Sequence, residues 1–334
     1  MRFSILFISV ILSLSILFCS IFIFISDSTV GLAVLADEDQ QGRVLGANDI
    51  SVDMITGMSS NFKASFPASE NKRSAPPKLK EGANKIDLEN IACLIMDKAS
   101  GAVLLKQNEN KVTPIASISK LATVLVFLEQ KIDWETVYQV KTSDIISGGR
   151  NNIYAGEKIK LKDLFFLSLV GSDNSATQAL AQATGMTSEQ FVKRINEKFK
   201  ELGLTNTHFD DLTGLSDANT STALDVVKLA QAAFTKKEIR EATLTKKYKF
   251  TDIDGRSGEA SNTDELLDIF PVNGIKIVGG KTGFTTSAGY CFVGQFVDKN
   301  GHEIVSVVLG GPDINSRFEE TKRLVHWTYD NYLW

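Results

Sequence analysis

The stretch from Pro114 to Leu128 constrains this chain more than any other. From Leu121 to Leu128 every residue but Thr123 is apolar, so a helix there offers no face to water and has to lie inside a domain. Its first turn differs. Ser117 and Lys120 are separated by one helical turn, which puts both side chains on one face with the amine in reach of the hydroxyl. A serine alone is a weak nucleophile. With an amine as base and the N–H groups of a helix start to stabilise an oxyanion, it becomes an acylation centre. The competing reading is a cap serine with a chance lysine. The chain supplies its own control: Ser69-Glu70-Asn71-Lys72 has the same pattern but runs into Arg73-Ser74-Ala75-Pro76-Pro77. The prolines exclude a useful helix, and that match reads as solvated linker.

The organisation of the chain follows from its composition shifts. With 334 residues, 43% hydrophobic, and a net charge of -4, there is room for one large domain or two. No basic cluster interleaves with aromatics, which excludes a nucleic-acid partner. Residues 1–26 read as a membrane anchor or signal segment: Phe3 to Ile25 is apolar apart from scattered serines and Cys19, long enough to span a bilayer. We expect a retained anchor. Val34-Leu35-Ala36 before Asp37 resembles a leader-peptidase site and leaves cleavage as the alternative. Either fate exports the domain. Residues 27–86, rich in Ser, Asn, Lys, Asp, Gly and Pro, read as a disordered linker, and residues 87–334 as the catalytic domain.

Within that domain, Ile91 to Met96 and Ala102 to Leu105 flank the turn Asp97-Lys98-Ala99-Ser100-Gly101, a strand, turn, strand signature. From Leu161 to Lys247 the pattern is helical, with segments at Leu161–Val170, Ser175–Ala183, Ser188–Leu202 and Leu224–Phe234. Strands return at Tyr290–Val297 and Glu303–Leu309 around a turn containing Asn300-Gly301. A last helix at about Asn315 to Tyr332 closes the chain. Strands from both ends with helices between them imply an α/β (α+β) sandwich, its antiparallel sheet split in sequence by a mostly helical subdomain, with a site in the cleft between them.

Two further clusters join Ser117 and Lys120. Ser172-Asp173-Asn174 ends an apolar run, where side chains leave the core. Lys281-Thr282-Gly283 follows Gly279-Gly280, where the backbone is open to close approach. Each alone reads equally as a turn or a solvated strand edge. Ser-x-x-Lys, Ser-Asp-Asn and Lys-Thr-Gly in this order, however, are the signature set of penicillin-binding proteins and class A β-lactamases. Residues from about Asn90 to Tyr332 resemble the serine-type D-alanyl-D-alanine carboxypeptidases, peptidase family S11. The likeness extends to Thr213-Gly214-Leu215, Ser221-Thr222-Ala223, Asn262-Thr263 with Leu266-Leu267, Ala288-Gly289-Tyr290-Cys291 and Val308-Leu309-Gly310.

The resemblance implies a β-lactamase/transpeptidase-like fold, a location on the outer face of a bacterial cytoplasmic membrane, peptidoglycan stem peptides as substrate, and β-lactams as covalent inhibitors. It implies Ser117 as nucleophile, Lys120 as its base, Ser172 as proton carrier to the leaving D-alanine, and Asn174 as holder of substrate and Lys120. Lys281 and Thr282 would bind the terminal carboxylate, with Gly283 and Phe284 beside them and the N–H groups of Ser117 and Phe284 as oxyanion hole. The positive charge of Lys281 is expected to help burial push the Lys120 pKa down. An endopeptidase of the same family is the alternative; a β-lactamase or a non-catalytic wall-binding scaffold stands further off. Aspartate at 173, where many carboxypeptidases have glycine, is lactamase-like, but no Glu-x-x-Leu-Asn lies between Asn174 and Lys281. His208, His302 and His326 are scattered without metal-ligand spacing, so neither metal nor cofactor is expected. Cys93 and Cys291 read as buried thiols.

Overall fold

The computed structural model describes residues 74–88 and 91–334. The apolar segment of residues 3–25, the second Ser-x-x-Lys and the linker as far as residue 73 lie outside the described residues. The chain begins with β1 (Lys78–Leu79), β2 (Ala92–Asp97), β3 (Val103–Gln107) and β4 (Thr113–Pro114), then a 3-10 turn (Ala116–Ser119) that runs directly into α1 (Lys120–Phe127). After β5 (Val137–Gln139) and β6 (Lys158–Lys160) come α2 (Leu161–Val170), α3 (Asn174–Gln182), α4 (Ser188–Glu201), β7 (Thr220–Ser221), α5 (Ala223–Phe234) and α6 (Lys237–Leu244). The remainder is β8 (Lys247–Thr251), β9 (Ser257–Ser261), α7 (Leu266–Ile269), β10 (Lys276–Thr285), β11 (Gly289–Val297), β12 (Glu303–Gly311), α8 (Ser316–Asn331) and β13 (Tyr332–Leu333).

The main sheet has five antiparallel strands in the order β10-β11-β12-β2-β3. β12 pairs with β2 over Ile304↔Asp97 to Leu309↔Ala92, which joins the two ends of the domain in sequence and encloses the helices between them. Alternation along the strands sorts the side chains onto two cores. Ala92, Leu94 and Met96 join Val305, Val307 and Leu309 in the core shared with the helices. Cys93 and Ile95 join Ile304, Val308, Phe292 and Phe296 in a second core, covered by Phe318, Leu324 and Val325 of α8. β2 is therefore buried along its whole length.

The helices start where capping chemistry puts them. Thr187 Oγ1 accepts from Gln190 N while Gln190 Oε1 accepts from Thr187 N, a capping box that opens α4. Phe191, Ile195 and Phe199 then fall on one buried face at helical spacing. Thr222 caps α5 and Asp173 caps α3.

Two features depart from the sequence reading. The linker was expected to run to residue 86, but β1 pairs with β13 at Lys78↔Leu333 and Leu79↔Tyr332. Trp327 Nε1 donates to Asn84 O at 2.9 Å and Arg323 donates to Asp87 O at 2.6 Å, and Ile86 and Leu88 pack on the second core. The folded unit thus begins ahead of residue 87; these contacts are made with the far C-terminus, largely through the backbone of this segment, and leave no local apolar period. The stretch expected to be helical to Lys247 is followed by an unanticipated β8–β9 hairpin, whose two strands bury only Phe250 and Ala260.

Candidate active site

The 3-10 turn carrying Ser117 is clamped between two glycines. A Cβ on Gly214 would lie 2.0 Å from Ala116 O, and one on Gly283 would lie 2.6 Å from Ile115 O, so only glycine lets both neighbours close on the turn. Ala116 itself has φ 48° and Ser172 has φ 56°. Non-glycine residues in this left-handed region cost about 1–3 kcal/mol each, and such strain concentrates at functional sites. Both lie where the sequence placed chemistry: one precedes the serine of the first motif, the other is the serine of the second.

Lys120, the first residue of α1, is fully buried. Its Nζ lies 2.8 Å from Ser117 Oγ, 2.7 Å from Asn174 Oδ1 and 2.7 Å from Thr213 O. A neutral amine satisfies this arrangement by donating to the amide and carbonyl oxygens and offering its lone pair to the serine hydroxyl. Burial drives it toward that state, pushing Lys120 down to about 7 against the charges of Asp211 and Asp173, which pull it up. The like-charge repulsion expected between Lys120 and Lys281 falls on Lys281. Burial first, and then Lys120 and Arg317, hold Lys281 well below the ordinary lysine range.

The groups around Lys120 are held in turn. Asp211 Oδ1 accepts from Thr213 N and Gly214 N, both at 2.6 Å, which fixes the carbonyl that meets Lys120. Asn174 Nδ2 donates to Gly148 O at 2.9 Å, and a Cβ on Gly149 would lie 2.8 Å from that Nδ2. Asp173 is fully buried and serves the scaffold: it accepts from Ala176 N at 2.8 Å and from Asn152 N at 2.5 Å and Nδ2 at 2.9 Å. It therefore ties the loop of residues 148–152 to the start of α3. The aspartate in the second motif has a packing role that accounts for its presence without a lactamase reaction.

β10 forms the opposite wall. Lys281 Nζ donates to Ser172 Oγ at 2.9 Å and to Thr282 O at 3.0 Å. Thr282 Oγ1 shares a 2.6 Å bond with Thr263 Oγ1. Phe284 is half exposed and stacks on Tyr290 with centroids 4.2 Å apart. From α8, buried Arg317 donates to Gly283 O at 3.2 Å, while its Nε has no hydrogen-bond partner among the described residues. Sequence reasoning missed Arg317, Asp211 and the 148–152 loop, since each reaches the site through a fold contact with no local motif.

Other groups stay outside this arrangement. His208 bonds Asp210, His302 bonds Asp298, and His326 stacks on Phe270. Cys93 and Cys291 are free, buried thiols, raised chiefly by burial to about 12 and about 11, which leaves them unreactive at neutral pH.

All three motifs thus meet in space, joined through Lys120, Asn174, Ser172 and Lys281. The family model for D-alanyl-D-alanine carboxypeptidase, peptidase family S11, matches residues 79–313. The chain belongs to this family. Its similarity to the D-alanyl-D-alanine endopeptidase of Pseudomonas aeruginosa is 32% identity, covering 72% of this chain and 77% of that protein. The endopeptidase of Escherichia coli is 30% identical, over 73% and 79%, and the carboxypeptidase DacF of Bacillus subtilis 28% identical, over 72% and 62%. In fold the domain matches the DD-transpeptidase of Streptomyces K15, with a TM-score of 0.69, 23% identity, and coverage of 74% of this chain and 99% of that one. The split antiparallel sheet and helical subdomain expected from the sequence are this transpeptidase-like fold.

Proposed function

We propose that this S11 peptidase is a D-alanyl-D-alanine carboxypeptidase that trims peptidoglycan stem peptides through an acyl-enzyme on Ser117. The observation that carries the reading is the fully buried Lys120 amine at 2.8 Å from Ser117 Oγ, its other contacts already filled by Asn174 and Thr213. Ser117 Oγ attacks the carbonyl carbon of the penultimate D-alanine while Lys120 takes the hydroxyl proton. The N–H groups of Ser117 and Phe284 receive the oxyanion. The C–N bond then breaks as Ser172 gives its proton to the leaving amine and takes up the one held by Lys120, which returns Lys120 to the neutral state. Water, deprotonated by Lys120, hydrolyses the ester and regenerates the serine. Lys281 and Thr282 hold the terminal carboxylate by charge-assisted hydrogen bonds. Phe284, half exposed and stacked on Tyr290, offers apolar surface to the substrate beside Thr282 and Gly283. A β-lactam that mimics the D-Ala-D-Ala end would acylate the same serine.

The endopeptidase reading keeps the same acylation chemistry and is favoured by the names of the relatives from Pseudomonas aeruginosa and Escherichia coli. Incubation with purified muropeptides, read by mass, separates the two. Monomeric pentapeptides shortened by one alanine support the carboxypeptidase; cross-linked dimers split to monomers with pentapeptides untouched would replace it with the endopeptidase. Substrates of this class place the domain in the periplasm or cell wall, held to the membrane by residues 3–25 in our reading. Among the described residues no helix is long and apolar enough to cross a membrane.

A further inference from the structure

Behind the carboxylate-binding strand lies a buried acid that the mechanism does not use. Asp264 is 4% exposed. Its Oδ1 accepts from Leu266 N at 2.9 Å at the start of α7, but its Oδ2 has no hydrogen-bond partner among the described residues. That free oxygen lies against the backbone just before Lys281: a Cβ on Gly280 would be 2.5 Å from it, 3.0 Å from Phe292 Cζ and 3.3 Å from Ile277 Cδ1. The preceding residue, Thr263, bonds Thr282. Capping needs one oxygen, and an asparagine or serine supplies it. A carboxylate whose second oxygen is left bare in an apolar pocket is costly unless its charge is used.

The charges that face this group come from each element around it. Burial raises Asp264 to about 7; Lys281 of β10 and Arg317 of α8 pull it down, and neighbouring Glu265 pushes it up. Lys281 in turn is pushed down by burial, then by Lys120, Arg317 and Arg150, while Asp264 opposes them. A buried lysine beside Arg317 and Arg150 loses its proton unless an anion compensates, and a neutral amine is a poor anchor for a carboxylate. We propose that Asp264 is a positioning residue for substrate binding, a buried counter-charge behind β10 that keeps Lys281 an ammonium for the terminal carboxylate. This rests on the reading of Lys281 and Thr282 as the carboxylate anchor.

The test compares acylation of Ser117 by an acetylated stem-peptide analogue ending in a free carboxylate with acylation by the same peptide ending in an amide. The ratio of the two rates is taken from pH 5.5 to 8.5 in the wild type, Asp264→Asn and Asp264→Ser. Both substitutions keep an oxygen for Leu266 N, and a ratio measured within one preparation does not depend on the fraction folded. Above pH 7, where Asp264 is ionised, the variants should lose about tenfold of the carboxylate preference, the size of one charge-assisted hydrogen bond lost. Below pH 6, where Asp264 is protonated in the wild type, the three proteins should agree. A wild type without any preference for the carboxylate overturns the anchor reading and the proposal with it. A wild-type preference that both variants retain at every pH, or lose equally at 5.5 and 8.5, overturns the role of Asp264 alone.

Discussion

The two walls of the site are finished to different degrees. On the nucleophile side every contact is closed: Lys120 meets Ser117, Asn174 and Thr213, and Asp211 and Gly148 hold the groups it touches. On the β10 side charges are buried without complete partners, since Asp264 Oδ2 and Arg317 Nε both lack hydrogen bonds among the described residues. The difference follows from what each wall does. A nucleophile and its base have to be arranged before substrate arrives. In our reading the anchor on β10 keeps Lys281 for the substrate's carboxylate, and Asp264 and Arg317 are charges set behind that strand rather than partners of the substrate.

Substitutions that attack each wall separately should break this contrast if it is wrong. Lys120→Met removes the base while filling its buried space, and should lower the acylation rate about 10²- to 10⁴-fold; stopped-flow acylation with a chromogenic ester measures it. The wild-type rate should rise as pH rises through about 7, since Lys120 acts as base only once it has lost its proton and its value is about 7. A flat profile from pH 5.5 to 8.5 would contradict a lysine base.

A smaller effect is expected on the other wall. Thr282→Val, close in shape, removes one charge-assisted bond worth about 1.5–3 kcal/mol, roughly ten- to a hundredfold in acylation by a peptide with a free carboxylate. The amidated peptide should lose far less. Equal losses would mean that Thr282 reads no carboxylate.

The smallest effect concerns the N-terminal strand. A chain starting at Leu88 lacks β1 and the contacts from Asn84 and Asp87 to α8, none of which touches the site. It should melt several degrees lower than a chain starting at Ser74, at about 2–4 °C per kcal/mol, yet still acylate at the same rate once folded. Unchanged melting would show that β1 contributes no stability.

What was legible in the sequence was what local pattern encodes. Leu161–Val170 is apolar at seven of its ten positions and became α2 with those bounds; the Asp298 to Gly301 turn between β11 and β12 was marked by Asn-Gly, and Gly301 has φ 89°. The three motifs were legible because each is contiguous. The rest depended on contacts between distant residues. Thr213 reaches Lys120 across 93 positions of sequence, and Arg323 reaches Asp87 across 236. Nothing in the local pattern at Arg317 marks a buried residue beneath Gly283; in an amphipathic helix an arginine reads as solvent-facing. The electrostatics were illegible for the same reason. Lys281 was expected to depress Lys120, but the acids that counter its burial, Asp211 and Asp173, come from two other segments.

The account's central claim is that Ser117, activated by Lys120, is the acylated residue. Labelled penicillin followed by peptide mapping of the purified domain tests it directly. The label should sit on Ser117, form faster above pH 7 than below it, and disappear in Ser117→Ala while Ser69→Ala labels like the wild type. Label that survives Ser117→Ala, or maps to any other serine, would contradict the account.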